Sequence, residues 1–268
     1  MERIKQAIEK VKMQQSETEK STPPETRGDR SSQVNAQQAA DALDELQYNQ
    51  TKVVKLRPAH LERGRIFAFN KNDSMSVTFD VLRTQILQKM EEKGWRTLAI
   101  TSPTPAVGKT FVAINLAMSI AQKNNRTAML VDFDLRHPRI GAYLGLPMEK
   151  SLNDLLERDE DVTEILVNPD IPRLVILPTK NAVHTPSETL SSKKISNLIK
   201  DLRQRYDSRI IIFDLPSLLH SDDAIAVIPQ IDCILMVVAN GMSTKREIDD
   251  SLRHLSKSNL LGTVFNKA

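Results

Sequence analysis

Short runs of apolar residues alternate with helical patterns along most of the chain. The runs predict strands at 97–101, 127–132, 173–178, 209–214, 232–239 and 262–266. The 3.6-residue patterns predict helices at 75–92, 109–123, 151–157, 187–206, 221–229 and 243–257. Because most of these strands are unbroken runs of Val, Ile and Leu, both of their faces should be buried. The alternation therefore predicts an α/β fold with a doubly wound, mainly parallel sheet flanked by helices.

The N-terminal quarter of the chain has a different pattern. Residues 1–15 place apolar side chains at helical spacing among Lys and Glu, which predicts a short amphipathic helix. This helix would pack on its own domain, on a partner or on a membrane surface. Residues 16–52 are interpreted as a flexible linker because their first half contains almost nothing apolar. A weak helix at 36–47 interrupts this linker.

The folded domain is predicted to occupy residues 53–268. Near its start, Ile66, Phe67 and Phe69 have a strand-like pattern, which suggests a strand at the edge of the domain. Together, the predictions give a helical or disordered N-terminal extension followed by a single α/β domain.

Composition restricts the possible environments of the chain. Of 268 residues, 40% are hydrophobic and 26% charged, as in ordinary globular proteins. A net charge of +3, with no clustering of basic residues, gives no argument for nucleic-acid binding. The single cysteine, Cys233, lies in an apolar run and is interpreted as a buried, inert thiol. With no apolar run near the ~20 residues of a membrane span, we expect a cytoplasmic location.

The most informative stretch is residues 97–110, Thr-Leu-Ala-Ile-Thr-Ser-Pro-Thr-Pro-Ala-Val-Gly-Lys-Thr. A strand, a loop and a helix beginning at Gly108-Lys109-Thr110 are the parts of a phosphate-binding loop. In such loops, main-chain N–H groups surround the phosphates, the lysine contacts the outer ones and the threonine binds magnesium. The match is incomplete, because Pro103 occupies the position of the first glycine.

Two more predicted strands end in aspartate. One strand runs into Asp132 and Asp134, and another runs into Asp214. Carboxyl ends of parallel strands meet at one edge of the sheet, where ligands bind. Hard oxygen ligands of this kind hold magnesium, so Thr110, Asp132 and Asp214 are the candidate metal ligands. Asp132 and Asp134 should point in different directions, so one would act near the metal or the attacking group and the other would orient it.

Three motifs, taken in order, resemble those of a known family. They are Ser-Pro-x-Pro-x-x-Gly-Lys-Thr, Leu-Val-Asp-Phe-Asp-Leu-Arg-His-Pro (130–138) and Ile-Ile-Phe-Asp-Leu-Pro (211–216). The set resembles the Walker A, A′ and B motifs of the bacterial tyrosine kinases of capsule and exopolysaccharide synthesis. The resemblance covers about residues 66–268 and is greatest to the branch encoded as a separate cytoplasmic chain. It implies a P-loop NTPase fold.

The resemblance also implies roles for individual residues. Lys109, Asp132 and Asp134 correspond to the catalytic lysine and aspartates, and Asp214 to the Walker B metal ligand. Candidate nucleotide-binding residues are Ala106, Val107, Gly108, Lys109, Thr110, Phe111, Arg136 and Asn266. Asn266 falls where related ATPases contact adenine, and Arg136 is either a phosphate contact or a surface arginine.

The implied cofactors are ATP or ADP with Mg²⁺. The implied partner is a membrane-embedded polysaccharide co-polymerase that would hold the chain at the inner face of the membrane, with self-association as a further possibility. Relatives use a Glu-x-x-Arg-x-x-Arg motif for ring assembly, but here Val77 and Asp80 precede Arg83. We therefore expect no ring of the family type.

Two further departures bear on function. Ala106 and Val107 replace the family's Gly-Glu, and an alanine restricts the loop more than a glycine does. The chain also lacks the C-terminal tyrosine cluster on which the family places its phosphate, and its tyrosines are Tyr48, Tyr143 and Tyr206. We therefore expect no tail autophosphorylation, and the acceptor would be Tyr48 or a tyrosine on another protein.

Three functions fit these residues. The first is an ATP-dependent protein-tyrosine kinase that regulates exopolysaccharide synthesis. The second is a nucleotide-switch ATPase of the partitioning and division-site type, although its signature lysine is replaced by Thr104. The third is a non-catalytic scaffold, suggested by the altered loop.

Overall fold

The structure is a computed structural model and describes residues 51–122, 126–205 and 209–267. The chain divides into two units, Met1–Leu43 and Asp44–Ala268, and every described residue belongs to the second. The predicted helices at 1–15 and 36–47 lie outside the described residues, as do Tyr48 and Tyr206. The predicted domain boundaries therefore remain predictions.

One eight-stranded sheet forms the centre of the domain. Its strands are β1 (Lys52–Val53), β2 (Thr97–Thr101), β3 (Thr127–Asp132), β4 (Val167–Asn168), β5 (Leu174–Leu177), β6 (Arg209–Asp214), β7 (Cys233–Ala239) and β8 (Leu260–Asn266). Their order across the sheet is β1-β4-β5-β3-β6-β2-β7-β8. Among the strand pairs of the described residues, β4–β5 is antiparallel and the others are parallel. The predicted mainly parallel sheet is confirmed.

Helices cover both faces of this sheet. They are α1 (Pro58–Arg63), α2 (Ser74–Lys93), α3 (Lys109–Ala121), α4 (Ile140–Leu144), α5 (Leu152–Arg158), α6 (Val162–Ile165), α7 (Pro186–Ser191), α8 (Lys193–Arg205), α9 (Asp223–Val227) and α10 (Lys245–His254). Within the described residues, no helix is both long enough and apolar enough to cross a bilayer.

Alternate residues of the central strands belong to two separate hydrophobic cores. In β2, Leu98 and Ile100 pack into the core that contains the buried sides of α2 and α3, whereas Ala99 packs into the core beneath α8. Since both faces need apolar side chains, the central strands are continuous apolar runs. The doubly wound arrangement is therefore confirmed.

Several predicted elements differ in detail. The helix predicted at 187–206 is two helices, α7 and α8, because Ser192 adopts an extended conformation between them. Neither the two short strands β1 and β4 nor α1 was among the predicted elements. These elements are two to six residues long, which is too short to show a clear periodicity.

The predicted strand around Ile66–Phe69 is wrong. This segment forms turns, and the main-chain N–H groups of Phe67 and Ala68 donate to Oδ1 of Asn115 at 2.8 and 3.0 Å. A buried asparagine on α3 thus satisfies donors that a neighbouring strand would otherwise bind. The segment is apolar because Ile66 and Ala68 are buried in the core next to α3.

Candidate nucleotide-binding site

The loop between β2 and α3 has the conformation that its glycine requires. Gly108 has φ +96°, in the left-handed region that favours glycine, and α3 begins at the next residue, Lys109. A Cβ at Gly108 would collide with Nδ2 of Asn266. Glycine is therefore needed here both for its backbone angles and for the close approach of β8.

The last residue of β8 and the residue after it support this loop. Nδ2 of Asn266 donates to the carbonyl oxygen of Val107 at 2.8 Å, and Nζ of Lys267 donates to that of Ala106 at 2.9 Å. Ala106 has φ +61°, an unfavourable angle for any residue with a Cβ. The family has a glycine at this position, and glycine adopts such an angle without strain. The alanine in this chain does not.

Asp132 and Asp214 lie at the carboxyl ends of neighbouring strands. They are paired in the register of β3 and β6, and both are fully buried. Oδ2 of Asp132 accepts hydrogen bonds from the main-chain N–H groups of Arg139 and Ile140, each 3.0 Å long. Burial and the neighbouring charge of Asp214 nevertheless hold the pKa of Asp132 well above its usual range.

The Asp214 carboxylate faces the end of the phosphate-binding loop. Burial raises the pKa of Asp214 to about 7, and the nearby Lys109 ammonium and Thr110 hydroxyl limit this rise. Neither oxygen of Asp214 has a hydrogen-bond partner of good geometry within the described residues. A buried carboxylate without partners is costly, so this arrangement favours a cation at the site.

Lys109 is paired with the second aspartate of the Asp-x-Asp motif. Its Nζ lies 3.2 Å from Oδ2 of Asp134, and both side chains are almost fully buried. Oδ1 of Asp134 accepts the main-chain N–H of His137 at 3.1 Å, which fixes the carboxylate. The two aspartates therefore face different partners, as the sequence predicts.

The donor set fits magnesium shared with a phosphate. Oδ1 of Asp132 and both oxygens of Asp214 are buried without hydrogen-bond partners in the described residues, and Thr110 lies beside Asp214. Across those same residues, no three His, Cys, Asp or Glu side chains could hold a metal on their own. Mg²⁺ commonly binds one or two carboxylates and completes its shell with phosphate oxygens and water.

Two predicted nucleotide-binding residues direct their side chains elsewhere. The guanidinium of Arg136 forms a two-point ion pair with the buried Asp223 of α9, at 2.6 and 3.2 Å. The ring of Phe111 makes edge contacts with Phe67 and Phe79, with ring centroids 6.4 and 5.6 Å apart. Any contact of Phe111 with a nucleotide would therefore come from its main chain.

Cys233 is a buried thiol away from these groups. Burial and the nearby Asp232 raise its pKa to about 12. The thiol form is therefore favoured at neutral pH, and the predicted burial of Cys233 is confirmed.

The structure brings together Lys109, Thr110, Asp132, Asp134 and Asp214, which come from three neighbouring strand ends. Sequence reasoning missed Lys267, whose contact is with a main-chain oxygen, and Asp223, the partner of Arg136. An acidic pair at the start of a predicted helix was the only signal for Asp223.

A parallel sheet that carries a Gly-Lys-Thr loop opposite strand-end aspartates defines a P-loop nucleotide-binding protein. Residues 95–245, more than half of the chain, match the sequence family described as AAA domain, and the chain belongs to this family.

The relatives of the chain are bacterial tyrosine-protein kinases, so the resemblance predicted from the motifs is confirmed. The putative tyrosine-protein kinase EpsB of Ralstonia nicotianae is 33% identical over 187 residues, which are 69% of this chain and 24% of that protein. The tyrosine-protein kinase YwqD of Bacillus subtilis is 27% identical over 79% of this chain and 89% of its own length. This chain thus spans about a quarter of EpsB but most of YwqD.

A solved kinase domain shares the fold. The BceF tyrosine kinase domain superposes with a TM-score of 0.66 and 26% identity, covering 86% of this chain and 88% of that domain. The predicted P-loop NTPase fold is therefore confirmed.

Proposed function

We propose that this chain is a protein-tyrosine kinase that binds ATP with Mg²⁺ and transfers the terminal phosphoryl group to a tyrosine hydroxyl. The observation that carries the proposal is the meeting of Lys109 and Thr110 with three buried aspartates at adjacent strand ends. Phosphoryl transfer depends mainly on positioning and charge neutralisation, and these groups supply both. The kinase relatives favour this function over a nucleotide-switch ATPase.

Each residue has a distinct role in this proposal. The ammonium of Lys109 leaves Asp134 to contact the outer phosphates, while the N–H groups at the start of α3 bind the phosphate chain. Thr110 and Asp214 would hold Mg²⁺, which would neutralise charge on the transferring group. The free Oδ1 of Asp132 is available to take the proton of the attacking hydroxyl.

The cellular setting is also part of the proposal. The chain would act in capsule or exopolysaccharide synthesis, in the cytoplasm at the inner face of the membrane. A membrane-embedded polysaccharide co-polymerase would recruit it there, and self-association is a further contact. The support for this setting is the resemblance to kinases of such systems.

The test is phosphotyrosine formation from labelled ATP and Mg²⁺, on the purified chain with and without the co-polymerase. We expect label on tyrosine that disappears in Lys109→Ala. A matched control is Lys245→Ala, which removes an exposed lysine at the start of α10. Label should remain in that control.

The outcome separates the candidate functions. Phosphate release without phosphotyrosine on either protein would overturn the kinase proposal and support the nucleotide switch. Equal, weak ADP binding by the native chain and Lys109→Ala would instead support the scaffold. Tyr→Phe changes at the three tyrosines would then locate the acceptor within the chain if label is found there.

A further inference from the structure

A second cleft lies between α1 and α4. It has a volume of about 520 Å³ and is lined by His60, Arg63, Gly64, Arg139, Ala142 and Tyr143. None of these residues belongs to the phosphate-binding loop or to the strand-end aspartates. The volume falls in the range of small-molecule sites, which is about 300–1,000 Å³.

The cleft presents positive charge without a matching acid. Arg63 and Arg139 are both exposed, and within the described residues neither forms an ion pair with a carboxylate. Nε of Arg63 donates to the carbonyl oxygen of Ala59 at 3.1 Å, which leaves its terminal nitrogens for a ligand. The planar donors of two arginines suit a phosphate group.

The cleft is open to solvent, and one hydrogen-bond contact links its two sides. Nε2 of His60 lies 2.9 Å from the carbonyl oxygen of Ala142, which joins α1 to α4. The side chain of Tyr143 is half-buried and packs partly against the core. An aromatic ring beside two arginines gives an apolar surface next to an anion-binding one.

The cleft is connected to the nucleotide site through one short segment. Arg139 lines the cleft, and its main-chain N–H and that of Ile140 donate to Oδ2 of Asp132. A ligand that fixes Arg139 would therefore also fix the donors that position this aspartate. A single residue, Arg139, thus belongs to the cleft and also contacts the nucleotide site.

We propose that this cleft binds a small phosphate ester, with its phosphate on Arg63 and Arg139 and its organic part on Tyr143, and that this binding changes the nucleotide affinity of the P-loop site. The proposal goes beyond the kinase function and does not require phosphoryl transfer. The positive charge of the cleft favours a phosphate group, and the volume of the cleft favours a small ligand. The aromatic ring favours an ester over inorganic phosphate.

The first experiment is calorimetric titration with glucose 1-phosphate in saturating Mg-ADP, so that the P-loop site is blocked. We expect one binding event that is weakened about tenfold or more in Arg63→Gln and in Arg139→Gln, because each removes charged hydrogen bonds. The control is Arg246→Gln, which changes an arginine that is 92% exposed on α10 and should leave binding unchanged. Absence of binding, or equal loss in the control, would overturn the proposal.

A parallel titration with inorganic phosphate tests the role of the ring. The ester should bind more tightly than phosphate, and equal affinities would refute the assigned role of Tyr143. The second experiment measures Mg-ADP affinity with and without glucose 1-phosphate. We expect a change of about fivefold or more, in the range of known coupling between sites, that is absent in Arg139→Gln. An unchanged affinity in the native chain would refute the coupling.

Discussion

Asp132 and Asp214 lie opposite each other on β3 and β6, and both are fully buried at the strand ends. Burial raises the pKa of both carboxyl groups, and the charge of Asp214 raises that of Asp132 further. Lys109 and the main-chain donors offset only part of this cost. The site is therefore arranged to gain free energy when a divalent cation arrives.

The first prediction concerns the pH dependence of magnesium binding. Asp214, with a pKa of about 7, must lose its proton to bind the metal, so Mg²⁺ affinity in the presence of ADP should rise from about pH 6 to pH 8. The rise should approach about tenfold per unit below the pKa. Calorimetry in two buffers of different ionisation enthalpy should detect proton release.

The stability of the protein should change with pH in the opposite direction to its Mg²⁺ affinity. A carboxyl whose folded pKa is raised stabilises the fold at low pH, and this contribution is lost as pH rises through about 7. Without Mg²⁺ and nucleotide, the free energy of unfolding should therefore fall between about pH 4 and pH 7. Asp214→Asn should reduce this dependence, and an unchanged profile would contradict the assignment.

The second prediction concerns Asn266. Loss of its hydrogen bond to Val107 in Asn266→Ala should destabilise the fold by about 1 kcal/mol and weaken ADP binding, since the loop loses a support. Asn259→Ala is the matched control, because Nδ2 of Asn259 donates to the carbonyl oxygen of Asp232 near the other end of β8. The control should lower the melting temperature without changing ADP affinity. Equal effects on ADP affinity would argue against a local role.

The third prediction concerns the backbone of Ala106. Because this residue has φ +61°, Ala106→Gly should relax the loop and stabilise the protein by up to about 1 kcal/mol, less the entropy cost of glycine. ADP affinity should also increase, because the loop reaches its phosphate-binding shape with less strain. Ala113→Gly, within the buried part of α3, is the control and should be destabilising. Destabilisation by Ala106→Gly would show that the angle is not strained.

Sequence patterns were sufficient to predict the central sheet, because strands that are buried on both faces are continuous runs of apolar residues. They also predicted which candidate site residues lie together, since strand-end aspartates and a Gly-Lys-Thr loop are local features that a parallel sheet brings together. They failed where a tertiary contact decides the structure. Asn115 prevents a strand at 66–69 by satisfying the donors of that segment, and nothing near those residues in the sequence reveals it.

The same limit applies to the side chains at the site. Arg136 follows the Asp-x-Asp motif, so it is a reasonable phosphate contact from sequence alone. Its pairing with Asp223 depends on how α9 packs, 87 residues further along the chain. The pairing of Lys109 with Asp134 likewise requires two strands to meet.

The last prediction tests the pair formed by Arg136 and Asp223. Asp223 is fully buried, whereas the Arg136 side chain is 44% exposed. Arg136→Gln would leave a buried carboxylate without its cation and should destabilise the fold by about 2–3 kcal/mol, less than the loss expected for a fully buried pair. Arg136→Gln combined with Asp223→Asn should be more stable than Arg136→Gln alone, because no charge is then left unpaired.

Denaturant unfolding of the two single variants and the double variant measures this coupling as a double-mutant cycle. ADP affinity, measured on the same proteins, decides whether the arginine also contacts phosphate. If Asp223→Asn leaves ADP binding intact while Arg136→Gln abolishes it, the guanidinium must leave Asp223 when nucleotide binds. If neither change affects ADP affinity, Arg136 serves only to join the segment after β3 to α9, and the predicted phosphate contact is wrong.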